Sequence, residues 1–91
     1  MYYIYAYISK KTGLPYYVGK GIGNRRFKKH GKIPVPQDKN RIIIMESNLS
    51  EIGSLSLERR YIKWYGRKNN GTGILRNLTD GGEGATGYIR T

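Results

Sequence analysis

The feature that most limits what this chain can fold into is its opening run, Tyr2 to Ile8, in which every residue except Ala6 is aromatic or β-branched. Such residues fit a pleated strand, where branched and ring side chains pack against their neighbours. Successive side chains on a strand point to opposite faces. Tyr3, Tyr5 and Tyr7 therefore share one face, and Tyr2, Ile4, Ala6 and Ile8 the other. Ser9 to Pro15 hold Gly13 and Pro15 and turn the chain, and Tyr16-Tyr17-Val18-Gly19 returns as a second, antiparallel strand. The first fold element is thus a hairpin faced with tyrosine. The chain carries nine Tyr against one Phe and one Trp. A tyrosine buries its ring but needs a partner for its hydroxyl, so this face suits a half-wet cleft better than a dry core.

Beyond the hairpin, Gly19, Gly21 and Gly23 punctuate the exit, and Asn24 is placed to cap a helix running to about His30, stopped by Gly31. Pro34 and Pro36 mark an extended connector. Arg41–Glu46, with Ile42-Ile43-Ile44-Met45 at its heart, reads as a third strand and, from its unbroken apolar run, as the buried central one. Ser50 caps the longest helix, to about Tyr65 with a stop at Gly66. Its inward face is expected to carry Ile52, Leu55, Ile62 and Tyr65. A short extended piece spans Ile74 to Leu78, and Asp80-Gly81-Gly82-Glu83-Gly84 reads as a flexible exit over about residues 80–91. The expectation is a single domain over residues 1–91 of class α+β: a small three-stranded antiparallel sheet flanked by helices.

Composition narrows the chemistry. Seventeen Lys and Arg against six Asp and Glu leave a net charge of +11. Self-repulsion of that size points to a polyanionic partner. Nucleic acid is favoured over membrane, because no basic amphipathic helix with a continuous apolar face is visible. No charged-then-apolar leader and no long apolar run occur, so the chain is expected to be soluble and cytoplasmic. With no cysteine and one histidine, His30, thiolate and multi-histidine metal sites are excluded, leaving oxygen-ligated hard cations.

Three groups of residues offer chemistry. The basic segment Arg25, Arg26, Lys28, Lys29 and His30, with Lys20 before it and Lys32 after, reads as a phosphate-binding surface or a solvated cationic face. On a helix, Arg26, Lys29 and His30 share a side. Glu58, mid-helix and beside the inward face, must pair with an arginine or bind a cation. The tyrosines, taken alone, read as sheet-packing residues. The run Gly19-Lys20-Gly21-Ile22-Gly23 is a poor dinucleotide loop, since its third glycine is one position early.

The order of these residues adds a further point. Tyr3-Ile4-Tyr5, eleven intervening residues and then Tyr17-Val18-Gly19 resemble the two strand motifs that name the GIY-YIG nucleases. Arg26-x-x-x-His30, then Glu58 followed by Tyr61-Ile62, and finally Asn77 resemble that family's later signatures, in the same order. Tyr3 stands where glycine is usual and Val18 where isoleucine is. Among Tyr3, Tyr5 and Tyr7, register favours Tyr5 as the motif tyrosine.

The resemblance, to the catalytic domain of phage and homing endonucleases, implies a DNA endonuclease leaving 5′-phosphate and 3′-hydroxyl ends. It implies one Mg²⁺ or Mn²⁺ on Glu58, water activated by Tyr5, Tyr17 positioning, and Arg26 neutralising phosphate charge. His30 would assist Arg26, Asn77 would brace the site, and Lys20, Arg25, Lys28, Lys29 and Lys32 would hold the nucleic acid. Homing and repair members generally carry an appended DNA-recognition region, so this sequence reads either as a fragment or as a minimal free-standing enzyme. The alternative is a non-catalytic nucleic-acid-binding module that keeps the same fold.

Overall fold

The computed structural model describes residues 1–29, 31–79 and 81. His30, and the expected exit except for Gly81, lie outside the described residues. Three strands, β1 (Tyr2–Ile8), β2 (Pro15–Gly21) and β3 (Ile42–Leu49), are followed by one α-helix, α1 (Glu51–Tyr65). The strands form an antiparallel sheet in the order β2-β1-β3. The protein is a small α+β fold.

The central strand is β1, not the isoleucine-rich run. β3 lies at an edge, where Ile43 and Ile44 are 43% and 44% exposed. The apolar run signals burial on both faces, yet the tyrosine strand is the one that achieves it. Ile4 and Ala6 pack with Val18, Ile62 and Leu75 on one side. Tyr3, Tyr5 and Tyr7 pack on the other with Tyr16, Tyr17, Ile33, Val35 and Ile42. A tyrosine ring goes fully inside when its hydroxyl finds a partner, and hydropathy does not register that.

α1 begins and ends where its caps dictate. The Ser50 hydroxyl accepts from the Gly53 N–H at 3.0 Å, and Gly66, at φ 74°, donates its N–H to the Ile62 carbonyl. Leu55, Ile62 and Ser54 are buried, but Ile52 is 81% exposed rather than on the inward face. At roughly 100° per residue, Leu55 and Ile62 repeat to within about 20°, whereas Ile52 falls about 60–80° to one flank of that line. Glu58 falls about 40–60° to the opposite flank, where it is half-buried.

Two segments differ from expectation. The basic segment forms a single 3-10 turn, Arg25–Phe27, with no side-chain cap from Asn24. Tyrosine hydroxyls hold its backbone instead. Tyr3 donates to the Gly23 carbonyl at 2.8 Å and accepts from the Arg26 N–H at 3.1 Å. Tyr7 donates to the Arg26 carbonyl at 2.7 Å. That carbonyl is the acceptor an α-helix would give to residue 30, so the sheet takes the bond that would have continued the helix. At the other end, no strand forms over Ile74–Leu78. A single parallel bridge joins Arg67 and Leu75, and the chain then runs along the free edge of β2.

Candidate active site

Tyr5 sits mid-sheet, fully buried, with its ring centroid 5.8 Å from that of Tyr3, 5.5 Å from Tyr7 and 6.0 Å from Tyr17. Its cross-strand partner is Gly19. A Cβ on Gly19 would stand 2.7 Å from the Tyr5 hydroxyl and 3.0 Å from the Tyr17 ring. The glycine of Tyr17-Val18-Gly19 thus leaves the space into which both phenols lean. Gly21 does the same for Tyr3 and for the Arg25 side chain. Gly19→Ala is expected to destabilise the fold by ~1–3 kcal/mol, the usual cost of forcing a methyl into a filled site. An unchanged urea midpoint for this variant would mean that Tyr5 does not lie over Gly19.

The Tyr5 and Tyr17 hydroxyls are hydrogen-bonded to each other. Burial pushes the Tyr5 phenol far above its ordinary range, with Tyr17 and Tyr7 adding to the rise and the positive charge of Arg25 opposing it only in part. Burial likewise raises Tyr17, and the negative charge of Glu58 adds to that. Tyr7 is pushed up to about 12, again chiefly by burial. Nearby positive charge therefore does not outweigh desolvation, and these phenols are neutral hydrogen-bonding groups at neutral pH.

The same shifts set an alkaline limit on stability. A phenol whose folded pKa lies above its unfolded value contributes fully below the unfolded value and loses that contribution as pH rises through the folded one. Stability is expected to fall as pH climbs from 10 through about 12. Urea midpoints measured across that interval should show a steeper decline for the wild type than for Tyr7→Phe. Equal slopes would remove Tyr7 from this account.

Glu58 lies within electrostatic reach of Tyr17. Gly81 packs against it, and a Cβ there would meet the Glu58 carboxyl carbon at 3.2 Å. Asn77, buried to 6% exposure, bonds both backbone groups of Val18: its Oδ1 accepts from the N–H at 3.0 Å and its Nδ2 donates to the carbonyl at 2.7 Å. It serves as a strand partner to β2 between Tyr17 and Gly19. The neighbouring Arg76 N–H donates to the Tyr16 carbonyl at 2.6 Å.

The two arginines of the 3-10 turn go different ways. Arg26 turns back onto the protein, its guanidinium 4.4 Å from the Phe27 ring and 5.3 Å from the Tyr3 ring. It also donates to the Gly23 carbonyl at 3.1 Å and the Tyr3 hydroxyl at 3.4 Å. Arg25 is exposed, and its charge acts on Tyr5, Tyr7 and Tyr17 together. Lys28, Lys29 and Lys32 are exposed. Lys20 lies on the Val18 side of β2, with its ammonium 4.8 Å over the Tyr2 ring. The structure so gathers Tyr5, Tyr17, Glu58 and Arg25 around one hydroxyl cluster, sets Asn77 behind it, and turns Arg26 and Lys20 elsewhere.

The loop-holding work of Tyr3 and Tyr7 is absent from the sequence reading. The signal was present, since three alternating tyrosines on a buried strand need three sets of hydroxyl partners.

Comparison of the chain with protein-family models, curated proteins and solved structures finds no match. Among the described residues, no helix is long and apolar enough to cross a membrane, and no group of three or more His, Cys, Asp or Glu could hold a metal ion. A lone carboxylate still suits Mg²⁺, which keeps several waters and takes its remaining ligands from substrate phosphates. Glu58, a hard oxygen donor beside the hydroxyl cluster, fits that role.

Proposed function

We propose that this chain is a metal-dependent DNA endonuclease of the GIY-YIG type, cutting phosphodiesters to leave 5′-phosphate and 3′-hydroxyl ends. The observation that supports this best is the convergence of four residues far apart in sequence. The charges of an acid, Glu58, and of a strong cation, Arg25, both act on Tyr17, whose hydroxyl pairs with that of Tyr5.

In this reading the scissile phosphate lies beside the Tyr17 hydroxyl, because the two phenols themselves fill the space over Gly19. Arg25 donates to its non-bridging oxygens and neutralises the charge that grows on them. Tyr17, the half-buried phenol of the pair, meets the attacking water, the buried Tyr5 orients the Tyr17 hydroxyl through their hydrogen bond, and Asn77 fixes the backbone between them. The water oxygen forms the new bond to phosphorus and gives up one proton to solvent, while the bond to the 3′ oxygen breaks and that oxygen takes a proton from solvent and leaves as the hydroxyl. Glu58 would hold a divalent ion, which would supply positive charge at the scissile phosphate and near the phenols. Arg26 then positions the turn that presents Arg25.

Supercoiled plasmid incubated with the protein in Mg²⁺ or in EDTA tests the proposal. The expected result is nicked or linear product in Mg²⁺ alone, carrying 5′-phosphate ends. Binding without metal-dependent cleavage would identify a nucleic-acid-binding module instead.

A further inference from the structure

A second basic surface lies away from the hydroxyl cluster. The loop joining β1 to β2 and the segment 68–76 enclose an open groove of about 330 Å³, lined by Lys10, Lys68 and Arg76 together with Ser9, Thr12 and Tyr16. No carboxylate lines it among the described residues. A second hollow of about 360 Å³ shares Lys10 and Tyr16 and adds Arg41, whose partner Asp38, 3.9 Å away, is itself exposed.

The cations are mounted on fixed backbone. The Arg76 guanidinium lies 5.6 Å over the Tyr16 ring, and the Tyr16 hydroxyl donates to the Pro34 carbonyl at 2.6 Å. The Lys68 N–H donates to the Leu75 carbonyl at 2.8 Å. Ser9 Oγ accepts from the Lys11 and Thr12 N–H groups, bonds that do not use its own proton. In the first groove Lys10, Lys68 and Arg76 stand together without an acid among the described residues of the lining, which raises the free energy of the folded protein, and an anion lowers it. Arg76, already stacked on Tyr16, loses little entropy when it binds.

We propose that this groove binds successive phosphates along one strand of a nucleic acid, flanking the nucleotide at the hydroxyl cluster. The inference rests on the nuclease reading for its direction. Tyr16 stands three residues along β2 from Gly19, roughly 10 Å at strand spacing. Successive phosphates of one strand stand further apart than the ~3.4 Å axial rise of a step, so that distance reaches only the next phosphate or two. The groove therefore meets the backbone beside the cut and reads no bases.

The test compares the full chain with the variant Lys10→Gln, Lys68→Gln and Arg76→Gln. Its control is Arg59→Gln, Arg60→Gln and Lys63→Gln, which removes three exposed cations from α1. Affinity for a 16-base-pair duplex and for one of its strands is measured in EDTA over a range of salt. Each lost phosphate contact lowers the salt slope by ~0.9 on duplex and ~0.7 on a single strand. The groove variant is expected to lose about two to three such contacts on both probes, and the control fewer than one. Equal losses in the two variants, or a loss confined to the duplex, would overturn the proposal. Thermal melting checks that the groove variant is folded. Independently, acetylation of Lys10 and Lys68 in the wild-type protein should be suppressed by the oligonucleotide; unaltered labelling also overturns it. All readouts are binding, so absence of plasmid cleavage would sink the nuclease reading and leave this result standing.

Discussion

Glu58→Gln is expected to lose metal-dependent cleavage by at least ~100-fold while DNA affinity in EDTA stays within about twofold. The change keeps the shape of the side chain and removes one negative charge. On the proposed reading that charge anchors the ion whose field stabilises the departing oxygen, and groups that act on transition-state charge are typically worth ~100- to 1000-fold in rate. Affinity should hold or rise slightly, because a carboxylate repels the phosphate that the +11 chain attracts. The fold should also survive. Glu58 lies about 40–60° off the line of Leu55 and Ile62 on a helix of ~3.6 residues per turn, so the burial of that face does not depend on it. Single-turnover rates at saturating Mg²⁺, with thermal melting as control, decide the matter. Near-normal cleavage by a folded Glu58→Gln protein would take Glu58 out of the site.

The parts of the fold that the sequence made legible are those specified by local chemistry. The strand Tyr2–Ile8, the hairpin return and the limits of α1 at Ser50 and Gly66 follow from period-two alternation and from capping residues, which act within a few positions. What was not legible depended on long-range partners. Ile42–Met45 looked central because its hydropathy is unbroken, yet the middle of the sheet went to β1, whose tyrosine hydroxyls reach across to the 23–28 segment. The same bonds ended the expected helix after Phe27. The site followed this division. Tyr5 and Tyr17, singled out by the family resemblance, pair in the structure, and the charge of Glu58 acts on Tyr17. Assigning the arginine required the helical geometry that the tyrosines displaced.

Arg25→Ala is expected to slow single-turnover cleavage by ~100- to 1000-fold at saturating DNA, whereas Arg26→Ala should chiefly lower stability. This inverts the expectation from the spacing of Arg26 and His30, and the reason is geometric. On an α-helix, neighbouring residues point about 100° apart, so only one of the pair can face the sheet. In the 3-10 turn the tyrosines decide which. Tyr3 and Tyr7 bond the backbone N–H and carbonyl of Arg26, and its side chain folds over Phe27 and Tyr3. Truncating it removes two ring contacts and the bonds to Gly23 and Tyr3, a loss of ~1–2 kcal/mol at a partly exposed position. Arg25 is exposed and makes its charge felt on all three clustered phenols. Lys28→Ala and Lys29→Ala serve as charge-matched controls, each expected to weaken binding and reduce the salt slope by ~1 without changing the saturated rate. Arg25→Lys adds a finer test, because a lysine keeps the charge but not the paired donors that grip a phosphate. It should recover only part of the lost rate. A folded Arg26→Ala enzyme crippled at saturation, beside an active Arg25→Ala, would return the catalytic role to Arg26 and show that the turn rearranges when DNA binds.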